Sequence, residues 1–263
     1  MPRSPRRSVR PPEEGELAVG TFARLDRGRP HRQGIPEVIL GEGKSTAHLL
    51  GILRGLHARG LGAIVSRPTA AHRRALEGAE GQGLPVRPLA GGRLLRLKGP
   101  LGTQYSGGTV GLLTAGTSDV PLAEESRALL QELGLRVACA YDVGVAGLHR
   151  LLRAIRRLEA RRPSIYLVFA GREGALPTVV AGLVRAPVVG IPTSVGYGRG
   201  GRGEAALLAM LQSCAPLAVV NIDAAVPAAL FAAHHFARGR VVARPARRRR
   251  RSVRRPAPAS KGF

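Results

Sequence analysis

Between Phe169 and Cys214 the chain reads FAGREGALPTVVAGLVRAPVVGIPTSVGYGRGGRGEAALLAMLQSC, its densest grouping of residue types that can do chemistry. Glu173 ends a wholly apolar run and begins a helical one. It is either a partner for the positive end of a helix dipole or a crevice base. The stretch from Thr193 to Gly201 can cradle phosphates with backbone N–H groups, with Ser194 and Tyr197 as its side-chain contacts. Cys214 closes an amphipathic segment carrying Leu207, Leu208, Met210 and Leu211. Its bland reading is a small buried hydrophobe. As a nucleophile it needs Arg or His neighbours, because the negative end of a helix dipole disfavours a thiolate. The other cysteine, Cys139, sits inside a strand pattern and reads as structural.

Three more turns carry polar residues. In Gly116–Pro121, Thr117, Ser118 and Asp119 are placed either to cap a helix or to offer its open N–H groups to a phosphate. In Tyr141–Gly147, Asp142 follows a strand and faces its carboxyl end, with His149 one turn later as a group that can titrate. Their alternatives are a capping Asp and a surface His. Gly41-Glu42-Gly43-Lys44-Ser45 imitates the end of a phosphate-binding P-loop, but the required first glycine falls at Val38, so the frame fails.

The elements that must position these turns follow from hydrophobic periodicity. The pattern predicts strands at Ile35–Leu40 and Gly62–Ser66, a helix over Ala47–Arg59 capped by Ser45, and a second helix from Pro68. A weak strand near Leu94 completes a small N-terminal α/β lobe, taken as residues 21–105. After Tyr105–Gly108 the alternation becomes regular. Strands at Thr109–Ala115, Leu135–Tyr141, Ile165–Ala170, Pro187–Ile191 and Leu217–Ile222 are each followed by a helix. Five such units imply a doubly wound parallel sheet in a three-layer α/β sandwich over residues 106–237. Such sheets place ligands beyond the carboxyl ends of their strands.

Composition narrows the function classes. The net charge of +24 is concentrated at the ends, since residues 1–12 and 238–263 hold 15 of the 41 basic residues and no acid. The middle keeps +9, which suits a phosphate-bearing small molecule. Residues 1–20 read as a disordered leader and 238–263 as a disordered Arg-rich tail. The run Arg247–Arg251 has no interleaved aromatic residues, so nonspecific nucleic-acid contact is its expected limit. Two cysteines without regular spacing exclude a disulfide framework and a cysteine-built zinc site. No secretory signal pattern or membrane span is visible, so a soluble cytoplasmic protein with no membrane partner is expected.

The motifs RQGIPEVILGEGKS, AGTSDVPLAEE, YDVGVAGLHRLL, AGREGALP, PTSVGYG and LLAMLQSCAP followed by VVNID resemble the LarB family, in order, from Arg32 to Asp223. That family holds the carboxylase/hydrolases that begin synthesis of the nickel-pincer nucleotide cofactor. Its C-terminal half is similar to the aminoimidazole ribonucleotide carboxylase (PurE) family. The resemblance implies carboxylation of nicotinic acid adenine dinucleotide at carbon 5 of its pyridinium ring, with CO2 or bicarbonate as co-substrate. Hydrolysis of the phosphoanhydride would then release AMP and the dicarboxylated mononucleotide. It also implies Cys214 as nucleophile, Glu173 and Asp142 as acids serving proton transfer or ring orientation, and Thr117, Ser118 and Asp119 as the nucleotide-holding turn. The segment around Arg32 and the Glu42–Ser45 turn with Lys44 matches the N-terminal signature, a substrate contact. A homo-octamer is implied, with no tightly bound cofactor; magnesium is expected only from the phosphoanhydride step, since no metal-ligand spacing is visible.

Two alternatives remain. The first is an aminoimidazole ribonucleotide carboxylase or mutase, against which Gly174-Ala175-Leu176-Pro177 lacks the histidine expected there. The second is a noncatalytic nucleotide- or nucleic-acid-binding protein, which rests on the tails.

Overall fold

The computed structural model of the chain describes residues 15–80 and 83–237. The leader before residue 15 and the Arg-rich tail from 238 lie outside the described residues. Part of the expected leader is corrected, however. Glu16–Val19 (β1) pairs antiparallel with Ala23–Asp26 (β2). Leu17 and Leu25 stand opposite one another in this hairpin and are both buried. Period-two alternation had put one apolar side chain of each strand on the same face, and that face covers a helix.

The remaining elements of the small lobe are Arg29–Gln33 (α1), Val38–Leu40 (β3), Thr46–His57 (α2), Ala63–Ser66 (β4), Ala70–Glu80 (α3), Val86–Leu89 (β5) and Leu94–Leu97 (β6). Ser45 caps α2 as expected, accepting from the His48 N–H at 3.2 Å, and Leu49, Ile52, Leu53 and Leu56 are buried beneath it. The four strands lie in the order β3-β4-β6-β5, with β3 and β4 parallel and the other pairs antiparallel. Alternation splits the sheet between two cores. Ala63, Val65, Leu95 and Leu97 pack with α2 and the hairpin, while Ile64 and Leu94 point into the core of the larger domain. The single weak strand expected near Leu94 is thus one arm of a hairpin. Its partner β5 was hidden by Arg87 and Pro88 on exposed positions.

The larger domain alternates strictly: Thr109–Thr114 (β7), Val120–Glu132 (α4), Arg136–Ala140 (β8), Leu148–Glu159 (α5), Ile165–Ala170 (β9), Ala175–Ala181 (α6), Val188–Pro192 (β10), Glu204–Leu211 (α7), Ala218–Val219 (β11) and Ala225–Ala237 (α8). All four strand pairs are parallel, in the order β11-β10-β9-β7-β8. On β9, Ile165, Leu167 and Phe169 face α4 and α8, whereas Tyr166, Val168 and Ala170 face α5, α6 and α7. Both faces are covered, so the central strands read as continuous apolar runs. This is the three-layer α/β sandwich the alternation implies. Among the described residues no helix is long and apolar enough to cross a membrane.

Candidate functional site

The strand order reverses between β7 and β9: the chain leaves β7 for β8 on one side and returns to β9 on the other. The turns beyond those two strands therefore part, and a crevice opens between them at the carboxyl ends. Gly116–Asp119 forms the wall above β7. Thr117 and Ser118 are exposed there, but Asp119 is turned inward and only 4% exposed. Its carboxylate accepts from the Gly116 N–H at 2.8 Å and from the Thr193 hydroxyl at 2.6 Å. Burial pushes the Asp119 carboxyl above the usual range, the two hydrogen bonds pull it back, and the nearby Asp223 charge pushes it up again. Asp119 therefore ties two walls together, and Thr117 and Ser118 are the residues of that turn that face solvent.

Beyond β8, Asp142 takes a left-handed backbone conformation (φ 55°), which Asp tolerates better than most residues. Its N–H donates to the Thr114 hydroxyl at 3.1 Å, and its carboxylate pairs with Arg150 at 2.9 Å. His149, in the first turn of α5, is exposed. Beyond β9, Gly171 lets two walls touch: a β-carbon there would lie 2.2 Å from the Val195 carbonyl oxygen. Glu173 follows it, exposed, before Gly174 starts α6 in the left-handed region. Beyond β10, the Arg172 guanidinium stacks 5.1 Å from the centre of the Tyr197 ring, which is 79% exposed. Ser194 is exposed, yet its backbone N–H donates to Asp223 Oδ1 at 2.9 Å. One of the N–H groups expected to cradle phosphate is thus already occupied.

Cys214 is exposed, not buried in an apolar setting, but it is not in this crevice. The start of α7 meets Gly174 at the carboxyl end, where a Gly174 β-carbon would lie 2.7 Å from Ala206 Cα. The helix then runs back along the sheet for eight residues, about 12 Å. Ser213 bonds the Thr178 hydroxyl, and the chain enters β11 opposite Val189, near the amino end of β10. Glu173, Asp142 and the Gly116–Asp119 turn are brought together within one chain. Cys214 is left toward the other end.

In the small lobe, Arg32 forms a two-point pair with Asp26 on the exposed surface. Gly34, two residues on, lies beside Ala237 at the end of α8, far from the crevice. The Glu42–Ser45 turn is better placed. Lys44 is partly buried, and its carbonyl accepts from His72 Nε2 at 2.9 Å, since His72 Nδ1 accepts from the Thr69 N–H. Glu42 pairs with Arg67 at 3.3 Å, and Arg67 reaches across to donate to the Asp223 carbonyl at 3.0 Å. Asp223 and Arg67 were missed by sequence reasoning. Each directly follows a strand pattern, Leu217–Ile222 or Gly62–Ser66, which is the signal that could have found them. No group of three His, Cys, Asp or Glu side chains suited to a metal ion occurs among the described residues.

Comparisons bear on both lobes. Residues 109–253 match the AIR carboxylase family, and residues 17–82 match the LarB/PurE-like N-terminal domain. An uncharacterized protein of Methanocaldococcus jannaschii is 38% identical over 215 residues, covering 80% of this chain and 82% of its own. The chain belongs to the LarB family. This LarB-family chain carries an AIR carboxylase-type domain below its N-terminal lobe, and it is an enzyme of the PurE carboxylase/mutase kind. An N5-carboxyaminoimidazole ribonucleotide mutase of Pyrococcus horikoshii is 30% identical over 129 residues, covering 47% of this chain and 69% of the relative. A crystal structure of Treponema denticola PurE is 22% identical, covers 48% of this chain and 87% of its own, and has a TM-score of 0.39.

Proposed function

We propose that this LarB-family protein carboxylates carbon 5 of the pyridinium ring of nicotinic acid adenine dinucleotide and then hydrolyses the phosphoanhydride to release AMP. The observation that carries this reading is the extent of the likeness. The Methanocaldococcus relative aligns over 80% of the chain, whereas the Pyrococcus mutase aligns over only 47% of it. The N-terminal lobe is what sets this chain apart from a purine mutase. Gly174–Pro177, without a histidine, supports the same distinction.

The chemistry assigns a task to each group. An electron-poor pyridinium ring does not attack CO2. Addition of the Cys214 thiolate forms a C–S bond and turns part of the ring into an enamine, whose carbon 5 then bonds to CO2 carbon. Glu173 or Asp142 takes the proton from carbon 5. The electron pair left behind restores the ring and expels the thiolate, so a hydrogen is replaced by a carboxylate with no net redox change. Thr117 and Ser118, on the solvent side of the turn above β7, hold the nucleotide. His149, Ser194 and Tyr197 border the same mouth. Arg32 stands apart from it within one chain, while the turn that carries Lys44 is linked to it through Glu42, Arg67 and Asp223.

Cys214 lies about a helix length from Glu173 in one chain, so the reading requires the cysteine of a second copy. That requirement agrees with a homo-octamer. The test is incubation with the dinucleotide and bicarbonate, followed by mass spectrometry. AMP with a carboxylated mononucleotide is the expected product pair. Absence of both across magnesium and pH series would overturn the proposal. A parallel incubation with aminoimidazole ribonucleotide and bicarbonate tests the purine reading, which the Pyrococcus relative favours, and its carboxylation there with no dinucleotide product would establish that reading.

A further inference from the structure

Between the lobes lies a cleft of about 590 Å³ that the residues assigned to ring chemistry leave untouched. Arg67, Arg73, Arg93 and Glu42 line it from the small lobe, and Glu125 and Asp223 line it from the larger domain. Its size is that of a nucleotide-sized pocket. Arg67 is held in an unusual way. It has φ 48°, a conformation costly for any side-chain-bearing residue, and it precedes Pro68, whose ring further crowds helical conformations of the residue before it. The backbone is fixed there by the Arg67 N–H donating to the Arg93 carbonyl at 3.2 Å and by Ser66 pairing with Gly41. The Arg67 guanidinium crosses the gap between the lobes to the Asp223 carbonyl.

The cations have spare donors. Arg67 commits two N–H groups, to Glu42 and the Asp223 carbonyl; Arg73 commits one to the Pro68 carbonyl; Arg93 commits one to Glu125 at 3.4 Å. A guanidinium has five donors, so each keeps at least three. Asp223 accepts from the Ser194 N–H through Oδ1, and Glu125, buried, pairs with Arg93 through Oε2. The pair to Glu42 joins side chains 49% and 63% exposed, and such a pair is easily exchanged for a better anion. Arginine forks match phosphate oxygens bidentately. Asp223 also stands between this cleft and the crevice, since its carbonyl serves Arg67 and its carboxylate serves Ser194.

We propose that the interlobe cleft is the phosphate subsite of a nucleotide ligand, with Arg67, Arg73 and Arg93 as its anion-binding residues. Given the dinucleotide reaction above, on which this identity rests, the anion is the diphosphate, held by the N-terminal lobe while the ring reaches the crevice. The test is calorimetric titration of the full chain with AMP and with the intact dinucleotide. Arg67→Ala and Arg93→Ala are each expected to raise the Kd for both ligands about tenfold or more, the loss expected for a charge-assisted hydrogen bond. Arg67→Lys, which keeps the charge but not the fork, is expected to lose part of that affinity while keeping the wild-type melting temperature. Arg157→Ala, on the exposed side of α5, controls for the general basicity and is expected to stay within twofold. AMP affinity unchanged in the Arg67 and Arg93 variants, or no AMP binding by the wild type, overturns the subsite. Arginine-dependent AMP binding without any turnover of the dinucleotide upholds the subsite and refutes the reaction instead.

Discussion

The Thr193 hydroxyl donates to the Asp119 carboxylate at 2.6 Å, joining the end of β10 to the turn above β7 across the intervening strand β9. Both residues are nearly fully buried, at 1% and 4% exposure. Their bond closes the back of the crevice and fixes the spacing of its two walls.

Thr193→Val removes that donor at nearly constant volume and leaves a buried carboxylate oxygen short of a partner. A loss of about 1–3 kcal/mol is expected from denaturant unfolding, the range for an orphaned buried acceptor. Turnover is expected to fall with it, because both walls move.

Asp119→Asn tests the charge. Burial raises the Asp119 carboxyl in the folded state, so folded protein binds this proton more tightly than unfolded protein. Ionisation of Asp119 therefore weakens the fold at neutral pH, and the penalty is relieved as pH falls through the raised folded value toward the ordinary carboxylate range. Melting temperatures of wild type and Asp119→Asn, measured from pH 7 down to about 4, are expected to converge in the direction of wild-type gain. A wild type that loses ground to the variant on acidification would contradict this sign.

Cys214→Ala is expected to leave the melting temperature unchanged, since the side chain is exposed. Carboxylation should drop on the order of a thousandfold or more, as for loss of a covalent nucleophile. Mixing Cys214→Ala with Glu173→Gln under conditions that exchange subunits should restore activity. Only sites assembled from two copies can be rescued this way, so a lack of rescue places both groups on one chain.

Asp142→Asn keeps a residue type that tolerates φ 55°, while Asp142→Ala does not. Asn should therefore retain stability within about 0.5 kcal/mol, the Arg150 pair being an exposed one. Ala should lose about 1 kcal/mol or more to backbone strain. A drop in kcat common to both variants would isolate the role of the charge from that of the backbone.

Ending the chain at Ala237 removes ten of the arginines, residues 238–263. Turnover is expected to survive within about twofold, and retention on DNA at low salt to fall, since such contacts scale with the number of phosphates neutralised. Loss of turnover would favour a binding role for the tail over the enzymatic reading.

How much of this could be read from residues alone depends on the range of the interaction involved. The β7–α8 alternation was legible because helix and strand periods are local, and Ser45 as the α2 cap because its bond spans three residues. The hairpin β1–β2 was not. Four-residue strands among Arg, Asp and Gly carry too few apolar positions, and only α2 across the core makes Leu17 and Leu25 worth burying. The Phe169–Cys214 stretch carries both Glu173 and Cys214, yet one chain sets them apart for a related reason. The helix that follows a parallel strand must run back to the strand's starting end, so a residue closing that helix leaves the crevice its strand opened.

The sequence by itself determined the class of sheet, the turns that meet at its carboxyl ends, and the residue types they carry, since each follows from periodicities of two to four residues. Only the tertiary structure decided that Asp119 faces inward to Thr193, that Cys214 stands away from Glu173, and that Arg67 meets Asp223. Those two lie 156 positions apart in the chain. Their approach is set by how the small sheet packs Ile64 and Leu94 onto the core of the larger domain, and no local pattern encodes that packing.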